Sequence, residues 1–174
     1  MKTLLALLMF FGSTAASALP EDLRNGDPGW RQWGSGDMSW FGIALYRATF
    51  WVRGDAADNP PETWASALQL DYRRDIARER LVDTSIDEMR RLGAREAQLE
   101  RWRPELLRVF PDVREGDSIV GLHIPGRGAI FYHRGRPTGE VLDADFARHF
   151  FAIWLDPRTR SPALRAALLR RPGT

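Results

Sequence analysis

The chain has 174 residues, with 25 basic against 23 acidic side chains and no cysteine, which excludes a disulfide framework, a thiol nucleophile, cysteine-bound zinc and a lipidated cysteine anchor. Lys2 is the only lysine; arginines and acids otherwise interleave, as in Arg73-Arg-Asp-Ile-Ala-Arg-Glu-Arg80. That is the pattern of a solvated face rather than the clustered basic stripe of a nucleic-acid binder.

Met1–Ala18 carries a positive Lys2, an apolar Leu4–Phe11 and small residues at Ala16-Ser-Ala18. This is read as a cleaved signal peptide, with export into a bacterial periplasm, and a single domain over 19–174. No later apolar run is long enough to span a bilayer, so no stable membrane insertion is expected after cleavage. Seven Trp and nine Phe supply the aromatic area of a core, or of a pocket in it.

Leu19–Gly36 is rich in Gly, Pro and Asp and reads as an extended lead-in. Met38–Val52 is aromatic and β-branched and predicts one long or bent strand, with Trp40, Gly42, Ala44 and Tyr46 on one face and Phe41, Ile43 and Leu45 on the other, both covered. Gly54–Pro61 is a turn-rich loop. In Trp64–Ile76, Leu68, Leu70 and Tyr72 alternate with Gln69, Asp71 and Arg73, the pattern of a half-exposed strand. Ser85 followed by Glu88 predicts a capping box opening a helix to Leu92, with Gly93 as its stop. A second helix over 95–109 presents Leu99, Trp102, Leu106 and Val109, with Pro104 as a kink or a division.

Ser118–Ile124, Ala129–Arg134 and Arg136–Val141 predict three short strands joined by Pro125-Gly-Arg-Gly128 and Arg134-Gly135. They feed the most apolar helix, Asp143–Asp156. Asp143 is its N-cap, and Phe146, Phe150 and Trp154 fall four residues apart, flanked by Ala147 and Phe151. Ser161-Pro162 opens a last helix. The order is α+β, an antiparallel sheet covered on one face by segregated helices.

These segments resemble the bacterial chalcone isomerase-like proteins, a group related to plant chalcone isomerase and plastid fatty-acid-binding proteins. The resemblance rests on Phe41-Gly-Ile-Ala-Leu-Tyr46, Leu70-Asp-Tyr-Arg-Arg-Asp-Ile76, Phe110-Pro-Asp-Val-Arg-Glu-Gly-Asp117, Gly128-Ala-Ile-Phe-Tyr132 and Asp145–Asp156 with Ser161-Pro-Ala-Leu-Arg165, in that order. It implies an open-faced β-sandwich, with a ligand cleft between the sheet and its helices. The plant enzyme holds a phenolate near an Arg and polarises a ketone through hydroxyl side chains. The position expected to bear Thr is Phe41, the helix position expected to bear Ser or Thr is Ile153, and the expected Arg falls near Asp37. An apolar side chain cannot orient a ketone and a carboxylate repels a phenolate, so chalcone isomerisation is not expected and no catalytic residue is assigned.

Other chemistry finds little support. His123, His133 and His149 lack metal-ligand spacing, and neither a nucleophile elbow nor a phosphate-cradling loop occurs, so no metal or cofactor is expected. The aromatic stripe fits core packing or the lining of an apolar cleft. An Arg at the mouth of such a cleft would select a carboxylate. Arg47 and Arg73, each beside a strand tyrosine, are the candidates. The candidate ligand-binding set is Phe41, Tyr46, Arg47, Arg73, Phe150, Ile153 and Trp154. The expected function is an exported, non-catalytic binder of a small apolar acid such as a fatty acid. The alternatives are a lyase or isomerase with an altered site, and a periplasmic interaction protein without ligand.

Overall fold

A computed structural model describes residues 19–26, 29–54 and 64–170. The Met1–Ala18 segment, expected to be a signal peptide, and most of the 54–61 loop lie outside the described residues. The elements run α1 (Glu21–Gly26), β1 (Trp30–Trp40), β2 (Ile43–Arg53), β3 (Ser66–Tyr72), α2 (Arg78–Arg91), α3 (Glu96–Val109), β4 (Ser118–Ile124), β5 (Gly128–His133), β6 (Arg136–Val141), α4 (Ala144–Leu155) and α5 (Pro162–Leu168). The strands form one antiparallel sheet in chain order, β1-β2-β3-β4-β5-β6. Helices α2 to α5 pack on one face, and the main core lies between them and the inward residues Ala48, Phe50, Leu68, Leu70, Ile119 and Phe131.

Three expectations are corrected. Met38–Val52 is not one strand. The chain reverses at Phe41-Gly42, where both residues have positive φ (46° and 79°), so the supposed lead-in becomes β1, paired with β2 from Trp30↔Arg53 to Trp40↔Ile43. Positive φ at both central residues is the two-residue hairpin turn whose twist matches the flanking strands. The faces at its tip are uncovered: Trp40, Phe41 and Ile43 are exposed.

β3 is not half-exposed. Ser66 and Gln69 are buried along with Leu68 and Leu70, because the sheet face opposite the main helices has its own cluster of Leu19, Ala67, Val120, Leu122 and Tyr132, joined by Leu23 of α1. Alternation marks a solvated face only where nothing covers it.

Ser85 is no N-cap. It lies inside α2, its hydroxyl donating to the Leu81 carbonyl four residues back (2.8 Å). The helix starts at Arg78, whose N–H donates to the Asp112 carboxylate (2.8 Å), a cap from 34 residues away that no local pattern could signal. Gly93 does follow the helix end with positive φ, and Pro104 sits inside a continuous α3. The α4 cap is as expected, with Asp143 Oδ1 accepting the Phe146 N–H (3.0 Å).

Candidate functional site

The space between α4 and the sheet is occupied by side chains. Phe150 has Phe131, Phe110, Phe146, Phe151 and Trp154 within 5.3–6.0 Å, ring centre to ring centre. Such offset and edge-to-face contacts add to the area each ring removes from water. The stripe of Phe146, Phe150 and Trp154 is therefore chiefly core.

Polarity enters this layer at the C-terminal end of α4. Tyr46 stands where β3 ends, opposite Tyr72, with the rings 5.9 Å apart. The Trp154 indole N–H donates to the Tyr46 hydroxyl (3.0 Å), and among the described residues no acceptor takes the Tyr46 proton. Burial pushes the Tyr46 phenol up to about 12; the Trp154 bond opposes the shift and the negative charge of Glu88 adds to it. Burial, and secondarily the neighbouring Tyr46, holds the Tyr72 phenol further above the usual range. Both phenols are neutral at physiological pH, so neither serves as a base.

Glu88, on the inner side of α2, is 11% exposed at its side chain. One of its oxygens accepts from Arg91 (2.7 and 3.0 Å) and the other pairs with Arg160 (3.1 Å). Arg91 also donates to the Arg158 carbonyl (2.8 Å), tying α2 to the 156–161 connection. Thr159 donates to the Ile153 carbonyl (2.7 Å), and Ser161 approaches the Met38 sulfur (3.2 Å). The result is a neutral phenol at one wall of the layer and, close enough to act on it electrostatically, an anion clamped by two guanidinium groups.

The predicted set divides. Tyr46, Phe150, Ile153 and Trp154 come together on the helix side, with Ile153 half-buried against the core. Arg47 and Arg73 do not join them. They alternate to the other side of the sheet and share the Asp37 carboxylate (3.1 and 2.8 Å), so neither stands at the mouth of the helix–sheet layer. Phe41 is at the hairpin tip and 90% exposed. Glu88, Arg91 and Arg160 were missed. The Glu88/Arg91 spacing signals a helix ion pair, but its burial depends on a connection far along the chain.

The histidines are elsewhere. His123 Nδ1 bonds the Trp64 carbonyl (3.1 Å), His149 Nδ1 the Asp145 carbonyl (2.8 Å) and His133 Nε2 the Asp117 carboxylate (3.2 Å). His123 and His133 lie at opposite ends of the β4–β5 ladder. Among the described residues no group of three or more His, Asp and Glu could hold a metal ion, and no helix is long and apolar enough to cross a membrane.

A family model described as chalcone isomerase-like matches residues 14–170. Among solved structures, the crystal structure of a fatty-acid binding protein from Arabidopsis thaliana superposes with a TM-score of 0.62 at 14% identity, covering 82% of this chain and 88% of that one. At that identity the likeness concerns the fold. No curated protein sequence matches the chain.

Proposed function

Because the chain belongs to the chalcone isomerase-like family, we propose that it is a non-catalytic carrier of a small apolar carboxylate, bound at the Tyr46–Trp154 end of the helix–sheet layer. The observation that carries this is the state of Tyr46. Its oxygen already accepts from Trp154, and its proton remains for an external acceptor. A carboxylate there would accept from the phenol while its apolar tail lies along Ile153 and Met38, which border the core. The fatty-acid binding of the Arabidopsis relative is consistent with that class of ligand.

The same geometry supports the absence of catalysis. A phenol pushed up to about 12 carries almost no base at neutral pH, and Glu88, the carboxylate whose charge acts on it, is held in ion pairs. The leader-like Met1–Ala18 segment supports export, which N-terminal sequencing of the protein from cell fractions tests.

Ligand binding is tested by native mass spectrometry of protein purified from cells and by thermal shift with saturated fatty acids. Bound acid, and a shift reduced by Tyr46→Phe, are the expected results. Repeated absence of ligand together with no shift from any fatty acid would refute the reading.

A further inference from the structure

The β1–β2 hairpin ends in four residues, Trp40-Phe41-Gly42-Ile43, that serve no evident purpose in the folded core. β3 stops at Tyr72, opposite Tyr46, and beyond it the end of the hairpin pairs with itself, Ser39↔Ala44 and Trp40↔Ile43. The tip therefore stands out from the sheet as a finger. Trp40 is 55%, Phe41 90% and Ile43 46% exposed, and the two aromatic rings pack edge to face at 5.3 Å.

Phe41 is doubly out of place. Its φ of 46° is a left-handed conformation that Asn or Asp adopts far more readily than an aromatic residue. The turn thus holds a strained, water-exposed phenyl ring where a polar residue would serve folding better. Strain of this kind, observed first, is a reason to look for function.

We propose that this tip is a membrane-surface anchor: Trp40, Phe41 and Ile43 insert into the interface of a lipid bilayer. A second copy of the chain is the weaker occupant on size. At about 150–250 Å² per large aromatic side chain, the three exposed side chains offer about 400 Å², half of the roughly 800 Å² per partner of a stable interface, and they offer it on a convex finger. A bilayer accepts a convex apolar tip without a matching pocket, and Trp favours the headgroup level.

The charges agree with that depth. At about 3.3 Å per residue, the Asp37↔Arg47 pair lies roughly 13 Å behind Phe41. The Arg73 N–H bonds the Leu45 carbonyl (2.9 Å), which brings Arg73 nearer still. Insertion of about 5–10 Å, usual for interfacial anchors, would set both guanidinium groups among lipid phosphates. Arg47 and Arg73 share the Asp37 carboxylate and Asp71 stands opposite Arg47 across the β2–β3 ladder, so at that depth the guanidinium groups meet headgroup phosphates as hydrogen-bond donors from a charge-balanced cluster. This anchoring does not depend on the ligand proposal.

Co-sedimentation of the full chain with vesicles of phosphatidylethanolamine and phosphatidylglycerol tests it. Phe41→Asp suits the left-handed turn and is expected to fold normally by near-ultraviolet dichroism, yet to lower vesicle partitioning by about tenfold. Phe41→Leu is expected to retain binding. Since the chain has no cysteine, Ile43→Cys and, at the β4–β5 turn on the opposite end of the sheet, Arg127→Cys each accept one environment-sensitive fluorophore. A blue shift with vesicles at position 43 alone is the expected result. Equal partitioning of wild type and Phe41→Asp, or a probe at 43 that stays in water, would overturn the proposal. So would a Phe41→Asp effect confined to self-association or to binding another protein.

Discussion

Replacing Asp143 separates two jobs done by one carboxylate. Oδ1 accepts the Phe146 N–H and caps α4, while Oδ2 accepts the indole N–H of Trp102 (2.9 Å), a residue only 1% exposed. Loss of an N-cap costs about 1 kcal/mol. A buried indole N–H left without an acceptor costs about 1–3 kcal/mol more. The Arg101 pair, at 3.8 Å and with Arg101 largely exposed, adds little. Asp143→Ala should therefore destabilise by about 2–4 kcal/mol, and at roughly 2–4 °C per kcal/mol for a domain of this size the melting temperature should fall by about 5–15 °C.

Asp143→Asn retains an acceptor and should lose only about 1 kcal/mol or less. Burial alone would raise the Asp143 carboxyl, but the Trp102, Phe146 and Asp145 donors and the Arg101 charge outweigh it and hold it below the usual range. The folded value being the lower one, the carboxylate's contribution is present above the unfolded value of about 3.9 and is lost as pH falls through the folded value. Urea unfolding from pH 7 to pH 2 should thus bring wild type toward Asp143→Ala below about pH 4. An Asp143→Ala protein within 0.5 kcal/mol of wild type, or a gap unchanged by acid, would refute the assignment of that energy to the carboxylate.

Three further outcomes are expected. Gly34→Ala places a Cβ against the Ala167 and Leu168 carbonyls, backbone that cannot swing aside, so α5 should lift from β1 at a cost of about 1–3 kcal/mol; amide exchange across 162–168 should rise by about 5- to 150-fold, and unchanged protection would contradict it. Burial depresses His123 below its ordinary value, with the Trp64 bond partly opposing, so folding loses stability as pH falls from about 6.5 through the lower folded value; unfolding titrations of His123→Gln should lack that step. Glu88→Ala leaves Arg91 and Arg160 without their shared carboxylate and should destabilise by about 1–3 kcal/mol; under the carrier reading it should also tighten fatty-acid binding, and thermal shifts with and without ligand separate the two effects.

The two tight hairpins show what was legible in the sequence and what was not. Arg134-Gly135 and Phe41-Gly42 adopt the same left-handed pair of conformations. The first is flanked by polar residues and reads as a turn. The second is flanked by Trp, Phe and Ile, which read as strand interior, so hydrophobicity overrode the glycine signal and one strand was predicted where two exist. The expected positions of α3, α4 and the β4–β6 meander rested on signals within a few residues, namely helical spacing, the Asp143 cap and glycine turns. The Asp112 cap of α2 and the Arg160–Glu88 pair join segments far apart in sequence, which no local pattern encodes. Arg47 and Arg73 were placed beside tyrosines correctly, yet period-two alternation puts neighbours on opposite faces, and so they left the layer that Tyr46 entered.

Glu88 bears on chemistry as well as on stability. Cyclisation of a phenol onto an enone needs a phenolate, and the layer that holds Tyr46 opposes any such anion. Burial raises the phenol there, the Trp154 hydrogen bond only partly opposes it, and the Glu88 charge raises it further. Under the carrier reading, a ligand carboxylate would accept from the neutral Tyr46 phenol and compete with Glu88 for Arg91 and Arg160, the groups that now hold Glu88. The proposed carrier function needs no phenolate, and the response of fatty-acid binding to Glu88→Ala tests it more directly than any assay of turnover.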